Sequence, residues 1–299
     1  MTFSLAQKAQ RLAFFFFIFS ASLLTAQTHK ETEAHRCGTP PMTDDQIRYT
    51  LEVIAKQVVL RNAGTTCVPL QAHIVRQTDG TGGITYETLN KGLANANHYF
   101  LPAGIEFFWS NVPDYANDDD YYDYNVNAPD SDTEAALIGL FGRANNAINV
   151  YFVNRVKAGA TTGYAYFPGD NASVNMMVMD RNAHANAISS VFVHEMGHFF
   201  NLGHTFNGTE NGNNHVDAEN VPRTGPSANC STKGDLLCDT EADPKYNSAQ
   251  FNKPTCTYTG GGTDINGVPY APPVTNTMSY YPGECSNNMF TPNQITRVA

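Results

Sequence analysis

The stretch HEMGHFFNLGH, residues 194–204, sets three histidines and a glutamate into an otherwise largely apolar segment. His194 and His198 are four residues apart, so on a helix both imidazoles leave the same face one turn apart and can grip one ion, with Glu195 beside them. His204 comes six residues after His198. A continuing helix would turn it through roughly 600°, away from the face its partners share. The chain must therefore bend, and the bend falls at Asn201, one of the few residue types that visits the left-handed region at modest cost. Gly203 adds freedom just before His204. Upstream, from Asn186, the residues Ile188, Val191, Phe192, Phe199 and Leu202 supply an apolar helical pattern.

Three neutral imidazoles leave the fourth tetrahedral position of Zn²⁺ to water, whereas a structural zinc site closes it with a protein ligand. The metal brings that water's pKa towards ~7 from about 15.7 in bulk. Glu195 is then placed to take its proton as general base. A plain amphipathic core helix is the bland alternative, but it does not account for three histidines and a glutamate at ligand spacing.

Outward from this segment, residues 1–26 read as a secretory signal: Lys8 and Arg11 precede an apolar run from Leu12 to Leu24, too short to span a bilayer comfortably, and Ala26 is the expected cleavage point. The rest of the chain has no stretch apolar enough for stable membrane insertion. A formal net charge of −10 argues against nucleic acid or an anionic membrane as the main partner. All six cysteines lie beyond the signal, and a secreted chain meets oxidising conditions, so disulfides are expected.

Residues 27–65 read as a leader with one helix, where Thr43 and Gln46 match a capping box and Ile47, Leu51, Ile54 and Val58 form one stripe. From 66 to 204 strands and helices alternate. VPLQAHIVRQ, IEFFWS, AINVYFVNRV and SVNMMVMD read as strands, and TYETLNKGLANANHYF and SDTEAALIGLFGRANN as helices. The acidic stretch from Asn117 to Asn125 reads as a solvated loop. Residues 205–299 largely lose periodicity; so long an irregular segment needs disulfides, ions or function to tie it down, and Cys230, Cys238, Cys256 and Cys285 lie in it. The fold class is mixed α/β (α+β).

The 194–204 motif, followed by NTMSYYP with Met278 in a candidate methionine turn, resembles the metzincin metallopeptidases. HTF after the motif, GDLLCDT, NTMSYYPGEC and FTPNQITR resemble the pappalysin family, especially its bacterial ulilysin-like members, over about residues 65–299. The departures are Asn201 where that family has glycine, and Glu241 where a proline commonly follows Asp-Thr.

The resemblance implies a metzincin-type zincin domain: a twisted mixed sheet with the active-site helix in an upper subdomain (66–204), above an irregular, disulfide-tied lower subdomain (205–299) with a calcium loop and the methionine turn. It implies a catalytic zinc on His194, His198 and His204, Tyr280 as a stabiliser of the oxyanion, and Ca²⁺ at Asp235, Asp239 and Thr240. It also implies two disulfides among the four clustered cysteines, with three pairings open. Cys37 becomes a candidate latency switch, with a Cys37–Cys67 disulfide as the alternative. The function so implied is a secreted zinc endopeptidase on protein or peptide substrates, docked along an edge strand and inhibited by its own propeptide. The rival from another class is a catalytically inactive, secreted zinc-containing binding module.

Overall fold

Alternating apolar runs fix the element order. In the computed structural model the chain passes through α1 (Asp44–Lys56), β1 (Thr66–Arg76), α2 (Tyr86–Phe100), β2 (Ile105–Trp109), β3 (Asp114–Asn117) and α3 (Asp119–Tyr122). It continues through β4 (Asp123–Tyr124), α4 (Ser131–Phe141), β5 (Ile148–Val153), β6 (Arg155–Val156), β7 (Gly163–Ala165), β8 (Met176–Asp180), α5 (Arg181–His184) and α6 (Val191–Phe199). Among the described residues, β9 (Phe251–Asn252), β10 (Thr257–Tyr258), two short 3₁₀ turns and α7 (Pro292–Val298) follow. The structure describes residues 37–56, 64–124, 131–156, 161–168, 176–184, 191–210, 212–213, 215–282, 285 and 290–299. The expected signal at 1–26 and the start of the leader lie outside them.

Six strands make one sheet in the order β2-β1-β5-β8-β7, with β3 beside the second half of β1. Every pair is parallel except β7, which lies antiparallel to β8 at the edge. A largely parallel sheet needs cover on both faces. Leu70, Ala72 and Ile74 of β1 join Leu89 and Phe100 of α2 and Phe192 and Met196 of α6 in one core, while Val75 joins Leu137, Tyr151 and Val153 in a second. Burial on both faces explains why these strands read as near-continuous apolar runs.

One reading needs correction. The acidic stretch is not a loop: Asp118 caps α3 by accepting from the Asp120 and Tyr121 N–H groups, and Tyr124 in β4 is fully buried. Helix α1 has the expected capping box, with Thr43 N–H donating to Gln46 Oε1 at 2.6 Å and Gln46 N–H to Thr43 Oγ1 at 3.2 Å. Of its described side chains Gln46 and Thr50 are buried and Ile47 and Leu51 half-buried, while Ile54 and Val58 of the expected stripe lie outside the described side chains. The reason is a polar docking partner, described below.

The irregular lower region is tied by Cys230–Cys238 and Cys256–Cys285, which settle the open pairing. Cys37 and Cys67 are free thiols, so the alternative bridge between them is not made. Leu237, Met278, Phe290 and Val298 carry the lower region into the core that holds α6.

Candidate active site

Helix α6 puts His194 and His198 on one face and then stops. Leu202 N–H donates to Gly197 O at 2.9 Å and Asn201 N–H to His198 O at 2.9 Å, the paired bonds of a Schellman cap. The residue that turns the chain is Asn201, at φ 69°. The cap answers the helix's orphan carbonyls and swings His204 back over the same site.

There His198 Nε2 lies 3.1 Å from both His194 Nε2 and His204 Nε2. These three nitrogens and Cys37 Sγ all fall within 4.8 Å of one another. The opposite ring nitrogens face carbonyls: His194 Nδ1 lies 2.7 Å from Thr277 O and His198 Nδ1 2.8 Å from Leu202 O. Donation through Nδ1 leaves the Nε2 lone pairs free, the arrangement metal-ligating imidazoles use. Burial keeps the rings neutral, pushing His198 down to about 4 and His204 well below its usual value. Close-packed, neutral donors around one point fit Zn²⁺.

Glu195, fully buried, is pushed up to about 8 by loss of hydration. Its Oε2 accepts from the Cys37 thiol at 3.4 Å and from Thr39 Oγ1 at 3.1 Å, and its Oε1 has no hydrogen-bond partner. The same Cys37 sulfur stands 3.4 Å from His198 Nε2. Tyr280 donates its hydroxyl to Cys37 O at 3.0 Å, and its ring packs on His204 at 5.0 Å. The leader thus lies in the cleft, with Gly38 N–H bonded to Gly163 O at 2.8 Å and Thr39 Oγ1 accepting from Ala165 N–H at 3.0 Å, along the open side of β7.

Met278 is fully buried below the site, where a Cβ on Gly197 would stand 2.4 Å from its sulfur. Sequence reasoning passed over Gly197, although a glycine inside a helix costs roughly 0.5–1 kcal/mol and so signals a close neighbour. It also missed Thr39, and Thr50, whose hydroxyl donates to Asn201 Oδ1 at 2.8 Å from the leader helix.

Each residue expected to hold calcium has partners of its own. Asp239 is engaged at α7, accepting from Thr291 Oγ1 at 3.0 Å and Asn293 N–H at 2.8 Å. Among the described residues the buried Glu219 Oε2 has no hydrogen-bond partner, while Asp235 accepts from the Leu237 N–H at 3.0 Å and faces the Thr240 hydroxyl; no sequence signal singles out Glu219. Burial raises both carboxyls, and the charge of Asp235 raises Glu219 further, against the paired Arg223. Clustered oxygens of this kind, one of them unanswered, fit a hard cation such as Ca²⁺.

Residues 143–299 match the family model described as Pregnancy-associated plasma protein-A. The chain is 26% identical to an extracellular metalloprotease of Colletotrichum graminicola, with 93% of each covered, and 28% identical to one of Arthroderma gypseum, with 76% of this chain and 69% of that one covered. In fold it is similar to a promirolysin mutant of Tannerella forsythia, at TM-score 0.56 and 17% identity over 85% of this chain and 83% of that one.

Proposed function

The chain belongs to the pappalysin family of metzincin metalloproteases, and from that premise we propose that it is a secreted zinc endopeptidase made as a latent zymogen. His194, His198 and His204 hold the ion. Bound there, Zn²⁺ supplies Lewis acidity to the scissile carbonyl and to the attacking water. Glu195, next to His194 on α6, would take the water's proton and pass it to the leaving amine. The Tyr280 hydroxyl, which now donates to the carbonyl of Cys37, donates instead to the substrate carbonyl oxygen as negative charge develops on it.

A single observation carries the reading of latency. The leader engages the three imidazoles, the base and the tyrosine at once, through the Cys37 sulfur, the Thr39 hydroxyl and the Cys37 carbonyl. In that arrangement Cys37 and Thr39 fill the space beside the imidazoles and occupy Glu195 Oε2, so that an attacking water would have no place between the histidines and the base. Secretion is supported by the apolar N-terminal run and by relatives described as extracellular. A calcium ion on Glu219, Asp235 and Thr240 ties down the lower region.

Glu195→Ala in the full chain tests the mechanism. With the leader severed by an added protease, this variant should cleave an unstructured protein at least 10²-fold more slowly than wild type. It should also retain one bound zinc. Equal rates, or wild-type protein without stoichiometric zinc, would overturn the reading.

A further inference from the structure

Lys245 stands one aromatic ring from the proposed metal centre. The His204 ring stacks on Phe206 at 4.6 Å, and the Lys245 ammonium lies 5.5 Å over Phe206 and 5.9 Å over Tyr280. Its backbone is left-handed, at φ 67°, which lysine rarely adopts; Asp243 Oδ1 holds it by accepting the Lys245 N–H at 2.9 Å. Outliers of this kind gather at ligand-binding sites, where the surroundings over-determine them.

Among the described residues no carboxylate pairs with the ammonium, although two stand near. Asp243 accepts from the Lys245 N–H, the Thr205 hydroxyl and the Tyr281 hydroxyl, and Glu210, which feels the Lys245 charge, accepts the Gly208 N–H through Oε2 without an ion-pair contact to the ammonium among the described residues. Lys245 also lines an open cavity of about 600 Å³, whose other described lining residues include Asn213, Asn247, Ser248 and Gln250. In a chain of formal net charge −10, this wall offers donors and one cation, and no described lining residue is acidic.

Resting on the protease reading above, we propose that this cavity is a substrate subsite for a carboxylate, with Lys245 as its specificity-determining residue. The ammonium lies within roughly 10 Å of the His204 ring, a distance an extended peptide covers in about three residues. The carboxylate therefore belongs to an aspartate or glutamate within about three residues of the scissile bond, or to a peptide C-terminus at that distance. Over apolar ring faces such a charge pair is screened less than in open solvent.

The test uses full-chain protein activated by cutting the leader, profiled on a peptide library and then on matched peptides with Glu or Gln at the selected position, each with a free or amidated C-terminus. Wild type should favour Glu over Gln at one fixed position by about tenfold in kcat/KM. That ratio should fall to about one in Lys245→Met, persist in Lys245→Arg and invert in Lys245→Glu. A preference that appears only with free C-termini assigns the site to the terminal carboxylate. The proposal is overturned by a wild type without acidic preference at any position, or by a preference that survives in Lys245→Met. A wild type that cleaves no peptide at all removes the protease reading, and this inference with it.

Discussion

At Gly197 a methyl group has no place of its own, because its carbon would stand 2.4 Å from the Met278 sulfur and 3.1 Å from the terminal methyl of that residue. The methionine can shift, but it is fully buried under the histidines. Overpacking costs about 1–3 kcal/mol, whereas alanine recovers only about 0.5–1 kcal/mol of helix propensity. Gly197→Ala should therefore lose about 1 kcal/mol, read from the urea midpoint, and bind zinc more weakly. Combining it with the shorter Met278→Leu should restore part of the loss, since touching residues couple. A strictly additive double variant would show that the added methyl meets something else. Asn201 illustrates what single residues disclose: its tolerance of positive φ made the bend readable, but nothing in the sequence announced that its side chain would also meet the leader.

Helix α1 docks through polar groups, and so it was only half legible. Its capping box placed the N-terminus correctly, since that signal is local. The buried Gln46 and Thr50 are not legible from an apolar stripe, which is a guide only where the partner surface is apolar. Here Thr50 reaches Asn201 Oδ1 and the Met42 N–H reaches Asn207 Oδ1 at 3.1 Å, both next to the histidine turn. A neutral hydrogen bond of this kind contributes about 0.5–1.5 kcal/mol net. Thr50→Val, made in a Glu195→Ala background to prevent self-processing, should let the leader lift roughly 3- to 10-fold more often. The readout is alkylation of Cys37 followed by peptide mapping, with the exposed Cys67 as an internal reference that should not change. Equal labelling of Cys37 in both proteins would mean that α1 contributes nothing to latency.

Across the whole molecule, legibility follows periodicity. The sheet and α6 were readable because each repeats a burial pattern over many residues, and the zinc set because its spacing lies within one helix and one turn. The lower region repeats nothing, and its partners meet across the fold: Glu219 comes to Asp235 although sixteen residues separate them in sequence. Its disulfides restrict the chain at two places only, and Cys230–Cys238 closes a short loop of sequence separation 8. Something must still answer Glu219 Oε2, which among the described residues has no hydrogen-bond partner and stands beside the buried Asp235 and Thr240. If that is Ca²⁺, an ion bound to the folded state alone stabilises by about 2.7 kcal/mol at a hundred times its Kd. At about 2–4 °C per kcal/mol for a domain of this size, Tm should rise by roughly 5–10 °C between excess EGTA and millimolar calcium. Glu219→Gln should abolish most of that rise, while Asp239→Asn, whose carboxylate serves α7, should lower Tm equally with and without the ion. A wild-type Tm indifferent to calcium would mean that Arg223, Arg297 and the Leu237 N–H suffice among the described residues to compensate these buried acids, and that the lower region is held by its disulfides and core packing.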